Sequence, residues 1–320
     1  VQYIPAGLGL TSDVIDLDYD DGTGVTTSSV TIQGTGDTPA TLIVQGADPA
    51  PFGTVAIGAT VPVVLTLENT GNITATGITS GGLASANYQY TTGTFPGGGT
   101  CVEGGTLAGG ATCTFSVDFQ PGGAGVLTDT ISINYNDGAA AQVMNHGTTG
   151  TGANPAVLGI AAVPDAFSFG ILAVTTNVDH EFTITNSGDV DATVVSESTL
   201  AAPFTMPGGF PGAGATTPCG ATITAGASCN IVVRYAPLAA QVDNGTITLD
   251  YNYGVGLVYA TQAIDGEGVN PAVLTIAPAS FDFLDMAQGG SSAAQIFTVS
   301  NTGGYNATLV NEVGLADPFK

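Results

Sequence analysis

The chain repeats itself with a period of about 116 residues, and this feature constrains the fold more than any other. Three short motifs mark the period. Gly-x-Gly occurs at residues 34–36, 150–152 and 266–268, and Pro-Ala follows at residues 39–40, 155–156 and 271–272. The sequence Asn-Thr/Ser-Gly begins at Asn69, Asn186 and Asn301. Because an immunoglobulin-like (Ig-like) sandwich takes about 100 residues, each period matches one such module.

The phase of the repeat predicts two complete modules and two partial ones. Residues 39–154 and 155–270 are whole Ig-like repeats, residues 1–38 are the closing part of a repeat, and residues 271–320 are the opening part of a further one. A sandwich cut in mid-domain exposes unpaired backbone groups, so we expect the chain to be a section of a longer tandem array. The alternative is that the partial repeats pair between molecules, head to tail, and build a polymer.

Within each module, apolar and polar residues alternate as in half-buried β-strands. The three copies of one such strand are Ile15-x-Leu17-x-Tyr19, Ile131-x-Ile133-x-Tyr135 and Ile247-x-Leu249-x-Tyr251. No segment shows helical periodicity. The sequence therefore predicts an all-β chain of tandem Ig-like β-sandwiches in a linear array, with short joints that make it semi-rigid.

Segments 107–121 and 223–237 share the pattern Ala/Gly-Gly-x-x-Cys-x-hydrophobic-x-Val-x-Phe/Tyr-x-Pro. In this pattern and in the order of its elements, the chain resembles the bacterial choice-of-anchor D repeats, which are related to the abnormal-spindle/hydin type of Ig-like sandwich. The resemblance implies a tandem array that is secreted or exposed at the cell surface and has no catalytic activity. It supplies no functional site to carry over.

The four cysteines occur as one pair per complete module, Cys101 with Cys113 and Cys219 with Cys229. Four thiols allow three pairings, and the repeat favours the local one, in which each module closes a short disulfide loop. Neither pair has the spacing of two to four residues that zinc ligands require. Disulfides place the protein in an oxidising space, so we expect an extracellular or cell-surface location.

Charge and composition exclude several functions. The chain has 26 acidic residues but only two basic ones, Arg234 and Lys320, and its net charge is −24. A nucleic-acid partner is therefore excluded, since binding to phosphates needs basic side chains. No apolar run has the roughly 18 residues of a membrane span, so we expect no direct membrane insertion in this segment.

No residue constellation predicts catalysis. A residue that serves a repeated function should recur at the same place in each module, and His146, His180 and Arg234 do not. Without a base, a serine or cysteine nucleophile would not be activated. Most acids lie at strand edges or in turns where exposure is expected, and tryptophan, a common platform for sugar stacking, is absent. We therefore predict that the protein is not an enzyme and binds no organic cofactor.

Calcium is the one possible ligand that the acidic residues indicate. Asp16, Asp18, Asp20 and Asp21 precede Gly22 in a pattern that resembles a calcium-binding loop. The glycine stands one place late and no glutamate follows at the twelfth position, so a solvent-facing strand that runs into a turn explains the pattern better than calcium does.

The sequence thus predicts a non-catalytic structural protein of the cell surface that forms a stalk, fibre or filament. Its partners would be neighbouring repeats or copies of itself, joined head to tail. The alternative is an adhesin or binding module, in which loops such as Tyr88-Gln89-Tyr90 or Phe204–Phe210 contact a host or surface glycan or protein.

Overall fold

A computed structural model describes residues 1–161, 166–198 and 200–319, which form two units, Val1–Asn154 and Pro155–Lys320. Throughout these residues the regular secondary structure consists of β-strands, so the all-β prediction is confirmed. Each unit contains a two-sheet sandwich and, beside it, a two-stranded sheet from a partial repeat.

The first unit is built from strands β1 to β11. They are β1 (Gly9–Asp20), β2 (Val25–Gly36), β3 (Leu42–Val44), β4 (Ala50–Ala56), β5 (Val61–Asn69), β6 (Ala75–Gly82), β7 (Tyr88–Tyr90), β8 (Gly105–Leu107), β9 (Thr112–Phe119), β10 (Gly125–Asn136) and β11 (Ala141–Ala153). One sheet has the order β4-β11-β10-β6-β8 and the facing sheet the order β3-β5-β9-β7. Strands β1 and β2 form a separate antiparallel hairpin.

The second unit repeats this plan. Its strands are β12 (Leu158–Ala161), β13 (Ala166–Ala173), β14 (Val178–Asn186), β15 (Ala192–Glu197), β16 (Phe204–Thr205), β17 (Thr222–Ile223), β18 (Ser228–Tyr235), β19 (Val242–Asn252), β20 (Leu257–Val269), β21 (Leu274–Ala277) and β22 (Thr298–Asn301). The two sheets have the orders β13-β20-β19-β15-β17 and β12-β14-β18-β16, and β21 pairs with β22 in a sheet of their own. In both sandwiches one strand, β4 or β13, adds in parallel to the end of the larger sheet.

The apolar residues that alternate with polar ones along the central strands form the core. Phe115, Val117 and Phe119 on β9 meet Ile131 and Ile133 on β10, and none of these five side chains is exposed. Their counterparts on β18 and β19 are buried in the same way: Ile231, Val233, Tyr235, Ile247 and Leu249. The hydrophobic effect of these paired faces holds the two sheets together.

The Gly-x-Gly motif is explained by two close approaches. A Cβ atom at Gly150 would lie 2.6 Å from the Phe119 ring, and one at Gly152 would lie 2.0 Å from the carbonyl oxygen of Gly123. Both positions therefore require glycine if the neighbouring chain is to pack where it does. The same approaches occur at Gly266 against Tyr235 and at Gly34 against Tyr3.

Candidate functional site

Each complete sandwich contains one disulfide, Cys101–Cys113 in the first and Cys219–Cys229 in the second, with Cα–Cα distances of 4.9 Å in both. The sequence separations are 12 and 10 residues, so the pairing is the local one. Each disulfide ties the start of a central strand to the loop that lies beside it. Both bonds belong to the frame of the module and leave no free thiol among the described residues.

The glycine-rich loop ahead of each disulfide runs along the edge of the central strand. In the first module the Ser116 amide donates to the Pro96 carbonyl oxygen (2.9 Å), and the Cys101 amide donates to the Thr114 carbonyl oxygen (2.9 Å). The matching bond in the second module joins the Val232 amide to Pro211 (2.8 Å). The repeated tripeptide Phe-Pro-Gly, at 95–97 and 210–212, marks this loop in the sequence, a signal that our sequence analysis missed.

A buried asparagine joins three segments of each module. Asn69 is fully buried, and its Oδ1 accepts hydrogen bonds from the amides of Thr41 and Gly71, both at 3.1 Å. Its Nδ2 donates to the carbonyl oxygens of Ile73 and Leu107, both at 2.9 Å. All four hydrogen-bonding positions of the amide are thus used. A polar side chain next to glycine is typical of exposed turns, so the sequence alone predicts an exposed turn here and does not reveal the buried amide.

The second module repeats this arrangement. Asn186 is also fully buried, and its four partners are the amides of Val157 and Gly188 and the carbonyl oxygens of Val190 and Ile223. Asn301, in the partial repeat, makes the first three bonds of the set, with Val273, Gly303 and Tyr305, and it is exposed. The asparagine is therefore a structural element of the repeat and no reacting group.

The acidic residues proposed for calcium lie on the β1–β2 hairpin. Asp16 and Asp18 point to the same face of β1, where they accept hydrogen bonds from Ser29 and Thr27, both at 2.5 Å. Asp20 and Asp21 instead accept bonds within the turn that follows. A hydrogen bond from Thr23 holds the pKa of Asp21 below its usual value.

No group of three or more histidine, cysteine or acidic side chains in the described ranges is placed to hold a metal ion. The calcium hypothesis therefore stays a prediction based on the sequence pattern. Its test is the melting temperature in chelator and in millimolar Ca²⁺, for the wild type and for Asp16→Asn/Asp18→Asn. Equal melting temperatures would remove the hypothesis.

The side chains of the two histidines and of Arg234 each make a structural contact: a hydrogen bond, a ring stack and an ion pair. His146 is buried, with Nε2 at 3.0 Å from the Ala47 carbonyl oxygen. His180 stacks on the Phe167 ring with a centroid distance of 3.9 Å, and burial lowers its pKa. Arg234 binds Asp179 through two hydrogen bonds of 2.7 and 2.8 Å, which lower the pKa of that carboxyl. Lys320 lies outside the described residues.

Three acidic residues are buried, although exposure was expected for most of the acids. They are Asp118, Asp137 and Asp243. Each binds neighbouring hydroxyl, amide or backbone donors, as Asp118 does with the Thr91 hydroxyl at 2.7 Å. Polarity alone could not reveal this, because a carboxylate is buried when local donors satisfy it.

Asp243 illustrates how the two modules differ. It accepts a hydrogen bond from the buried Tyr235 hydroxyl at 2.9 Å. Burial, together with this bond, raises the pKa of Tyr235 well above its usual value of 10.0. In the first module Phe119 takes the place of Tyr235. The hydroxyl belongs instead to the neighbouring ring, Tyr88, whose centroid lies 4.9 Å from that of Phe119, and it donates to the Leu127 carbonyl oxygen at 2.8 Å.

The aromatic residues proposed to contact a ligand belong to the core. Tyr88, Tyr90 and Phe204 are buried, and Phe210 packs against the hydrophobic cluster of the second module. These rings are therefore not free to stack on a ligand, and the role of the two loops as ligand contacts stays a prediction that would depend on their exposed residues, such as Gln89 and Thr205. Glycine and proline surround Phe210, and the other three rings lie on strands of two or three residues, so no long alternation shows in the sequence that they are buried.

Two shallow depressions lie on the first module. One, of about 360 Å³, is beside Asp129, whose carboxylate oxygens already accept bonds from the Ala84 and Ser85 amides at 3.2 and 2.9 Å. The other, of about 400 Å³, is lined by residues such as Tyr135 and Gln142. Neither brings together a nucleophile, a base and a polarising group as an active site requires.

No helix of the described residues is long and apolar enough to span a membrane.

Comparison with known proteins supports the Ig-like assignment. The model of the family described as HYDIN/CFA65/VesB-like, Ig-like domain matches residues 43–146. Together with the two-sheet architecture of both complete repeats, this match shows that the chain folds as tandem Ig-like β-sandwiches. No curated protein matches the chain closely enough to count as a relative.

The solved structures that match the chain include a protein of unknown function from Porphyromonas gingivalis W83. It is 12% identical with a TM-score of 0.29, and the match covers 71% of this chain and 99% of that one. The PapD-like domain 7 of human CEP192 is 14% identical with a TM-score of 0.28, over 36% of this chain and 87% of that one. An E-to-A variant of titin domains I67–I69 is 15% identical with a TM-score of 0.33, over 74% of this chain and 68% of that one. The fold assignment rests on the family model and the sheets.

Proposed function

We propose that this chain is a non-catalytic structural protein of the cell surface, whose tandem Ig-like modules serve as a stalk, fibre or filament. One observation carries the proposal. The residues that hold the fold together recur in both complete modules, whereas the side chains that could take part in catalysis do not. The core positions, the disulfide and the four-bonded asparagine are the same in both complete modules. His146, His180 and Arg234 each occur in one module alone.

An extracellular location is part of the proposal. Two disulfides that close loops of 12 and 10 residues support it, because such bonds persist in oxidising compartments. The net charge of −24 supports a surface polymer as well, since like-charged molecules repel one another over the Debye length and stay dispersed. The finer assignment to the bacterial choice-of-anchor D type rests on the repeated cysteine motif.

The proposal is tested by asking whether the chain binds a ligand. The purified chain would be applied to a glycan array and to cells with exposed surface glycans. We expect no saturable binding, because the aromatic side chains of the loops are buried. Saturable binding that is lost when exposed loop residues are changed would instead support an adhesin.

Location is tested on the cells that make the protein. An antibody against the chain should label intact cells without permeabilisation. Labelling that requires permeabilisation would contradict the surface proposal.

A further inference from the structure

The end strand β13 is the longest open sheet edge of the second module. It pairs with β20 on one side and, among the described residues, with no strand on the other. It contains eight residues, whereas the other three strands at the sheet ends of this sandwich contain two to four. Because short edge strands offer few backbone groups for pairing, β13 is the edge to which a further strand can be added.

One backbone feature aligns the three copies of this strand. A residue with positive φ follows a phenylalanine in each copy: Gly53 (74°), Gly170 (73°) and Leu284 (60°). In the second and third copies a further phenylalanine contacts the first edge to face, with ring centroids 5.1 and 4.9 Å apart. The alignment places Pro51, Ser168 and Asp282 at one position of the strand and Thr54, Ile171 and Asp285 at another.

These two positions protect the edge in the first and third copies. The first copy has Pro51, and the third has Asp282 and Asp285. Proline lacks the amide that an added strand would bind, and a carboxylate on an edge strand opposes the approach of another strand. The second copy has Ser168 and Ile171 instead, and the Ile171 side chain is 57% exposed. The protection that the other copies have is therefore missing from β13.

The segment is also uncharged, in a chain whose net charge is −24. Residues 166–178 contain no acidic or basic side chain, and four of the eight residues of β13 are large and apolar: Phe167, Phe169, Ile171 and Leu172. A second copy can approach along this segment without bringing the carboxylates of two strands together. Antiparallel pairing of a strand with its own copy needs no other surface, since the same residues supply both sides of a two-fold contact.

We propose that β13 is a docking edge for a second copy of this chain, whose own β13 adds to it in antiparallel orientation and joins the larger sheets of the two second modules. The contact is two-fold and closes, so it holds two molecules side by side and builds no longer chain of them. This inference rests on the proposed structural function, in which copies of a stalk or filament lie next to one another, and it names the surface by which they adhere.

The association should be weak. One pair of strands buries less area than a standard interface of about 1,600 Å², and the bulge at Gly170 interrupts the row of backbone groups. Asp265 and Glu267, next to β13 on β20, also repel their counterparts in the second copy. We expect a Kd of about 100 μM, and tighter binding when added salt shortens the Debye length.

The test is sedimentation velocity of the full chain from about 10 μM to 1 mM, in about 0.15 and 0.5 M NaCl. The variants Ile171→Asp and Ser168→Pro give β13 the residues that the third and first copies have at these positions. Pro51 lies opposite Thr149 in the register in which Ser168 lies opposite Asp265, so the parallel pair forms without an amide at this position. Both variants should therefore fold with melting temperatures close to that of the wild type.

Val242→Asp is the matched control. Val242 is 64% exposed, and it flanks Glu267 on β19 as Ile171 flanks Glu267 on β13. The control thus adds the same charge to the same face of the same sheet, but two strands away from the edge.

We expect the wild type and Val242→Asp to form dimers and nothing larger as the concentration rises, and more dimer at the higher salt concentration. Ile171→Asp and Ser168→Pro should stay monomeric throughout. Hydrogen exchange at residues 166–173 should slow with concentration in the wild type and in the control, but in neither β13 variant.

Three results would overturn the proposal. They are a wild type that stays monomeric at the highest concentration, a dimer that persists in both β13 variants, and a dimer that is lost in Val242→Asp. The first would leave the edge to a different partner, and the other two would place the contact on another surface. None of them bears on the structural function itself, which is tested by ligand binding and location.

Discussion

Loss of the Asn69 side chain should destabilise the first module far more than its size implies. Asn69→Ala removes no apolar packing of importance, but it leaves two amides and two carbonyl groups without their partner. The bonds to Gly71 and Leu107 are fully buried, whereas those to Thr41 and Ile73 are partly exposed and would be replaced by water.

The magnitude follows from the number of groups that lose a partner inside the core. A buried polar group left without a hydrogen bond costs about 1–3 kcal/mol. Asn69→Ala leaves two buried groups unpaired, the Gly71 amide and the Leu107 carbonyl, and costs less at the two partly exposed groups. The expected decrease in the free energy of unfolding is therefore roughly 3–5 kcal/mol. Asn69→Asp should be at least as harmful at neutral pH, because a carboxylate would face two carbonyl oxygens.

The chain offers its own control. Asn301 has the same turn and three of the same bonds, but it is exposed, so Asn301→Ala should cost about 0.5 kcal/mol or less. Hydrogen exchange followed by mass spectrometry on the full chain, combined with urea unfolding, reads the opening free energy of each module separately. Equal losses at Asn69 and Asn301, or a loss below about 1 kcal/mol at Asn69, would refute the reasoning.

Three further changes test other parts of the frame. Replacing Cys219 and Cys229 by serine should lower the stability of the second module by about 3 kcal/mol in the chain-entropy model, measured by urea unfolding without reductant; an unchanged midpoint would argue against it. The raised pKa of Tyr235 means that its stabilising effect is complete below pH 10.0 and is lost as the pH rises through the folded-state pKa. Tyr235→Phe with Asp243→Leu, the pair found in the first module, should therefore unfold less steeply above pH 10, and identical alkaline profiles would contradict this. Gly266→Ala should cost about 1–3 kcal/mol, because its methyl group would lie 2.5 Å from the Tyr235 ring, and a melting temperature equal to that of the wild type would show that the ring can move.

The fold could be predicted from the sequence because its signals are local and repeated. Strict alternation in Ile131-x-Ile133-x-Tyr135 indicates a strand with one buried face, and its recurrence indicates which strands are equivalent. The disulfides could be assigned because each module contains one pair.

The interior of the loops could not be predicted in this way. Tyr88 lies on a strand of three residues and Phe210 lies among glycines and prolines, and no periodicity shows which way such short segments turn their rings. The burial of Asn69 depends on carbonyl groups at Ile73 and Leu107, and the second of these is distant in sequence. Contacts of this kind depend on tertiary structure, which local propensity does not contain.

Each complete module buries a pair of neighbouring rings, Tyr88 with Phe119 and Phe204 with Tyr235, and only one ring of each pair carries a hydroxyl. This affects how such modules can be exchanged by recombination. Tyr88 comes before the glycine-rich loop and its partner Phe119 after it, and in the second module the order is Phe204 and then Tyr235. A crossover within that loop would produce one hybrid with two phenols and another with none. The first hybrid would bury an extra hydroxyl beside Asp243, and the second would leave the Leu127 carbonyl oxygen without its donor. Whole modules are therefore the unit that can be duplicated or shuffled without loss, which agrees with an array that grew by copying complete repeats.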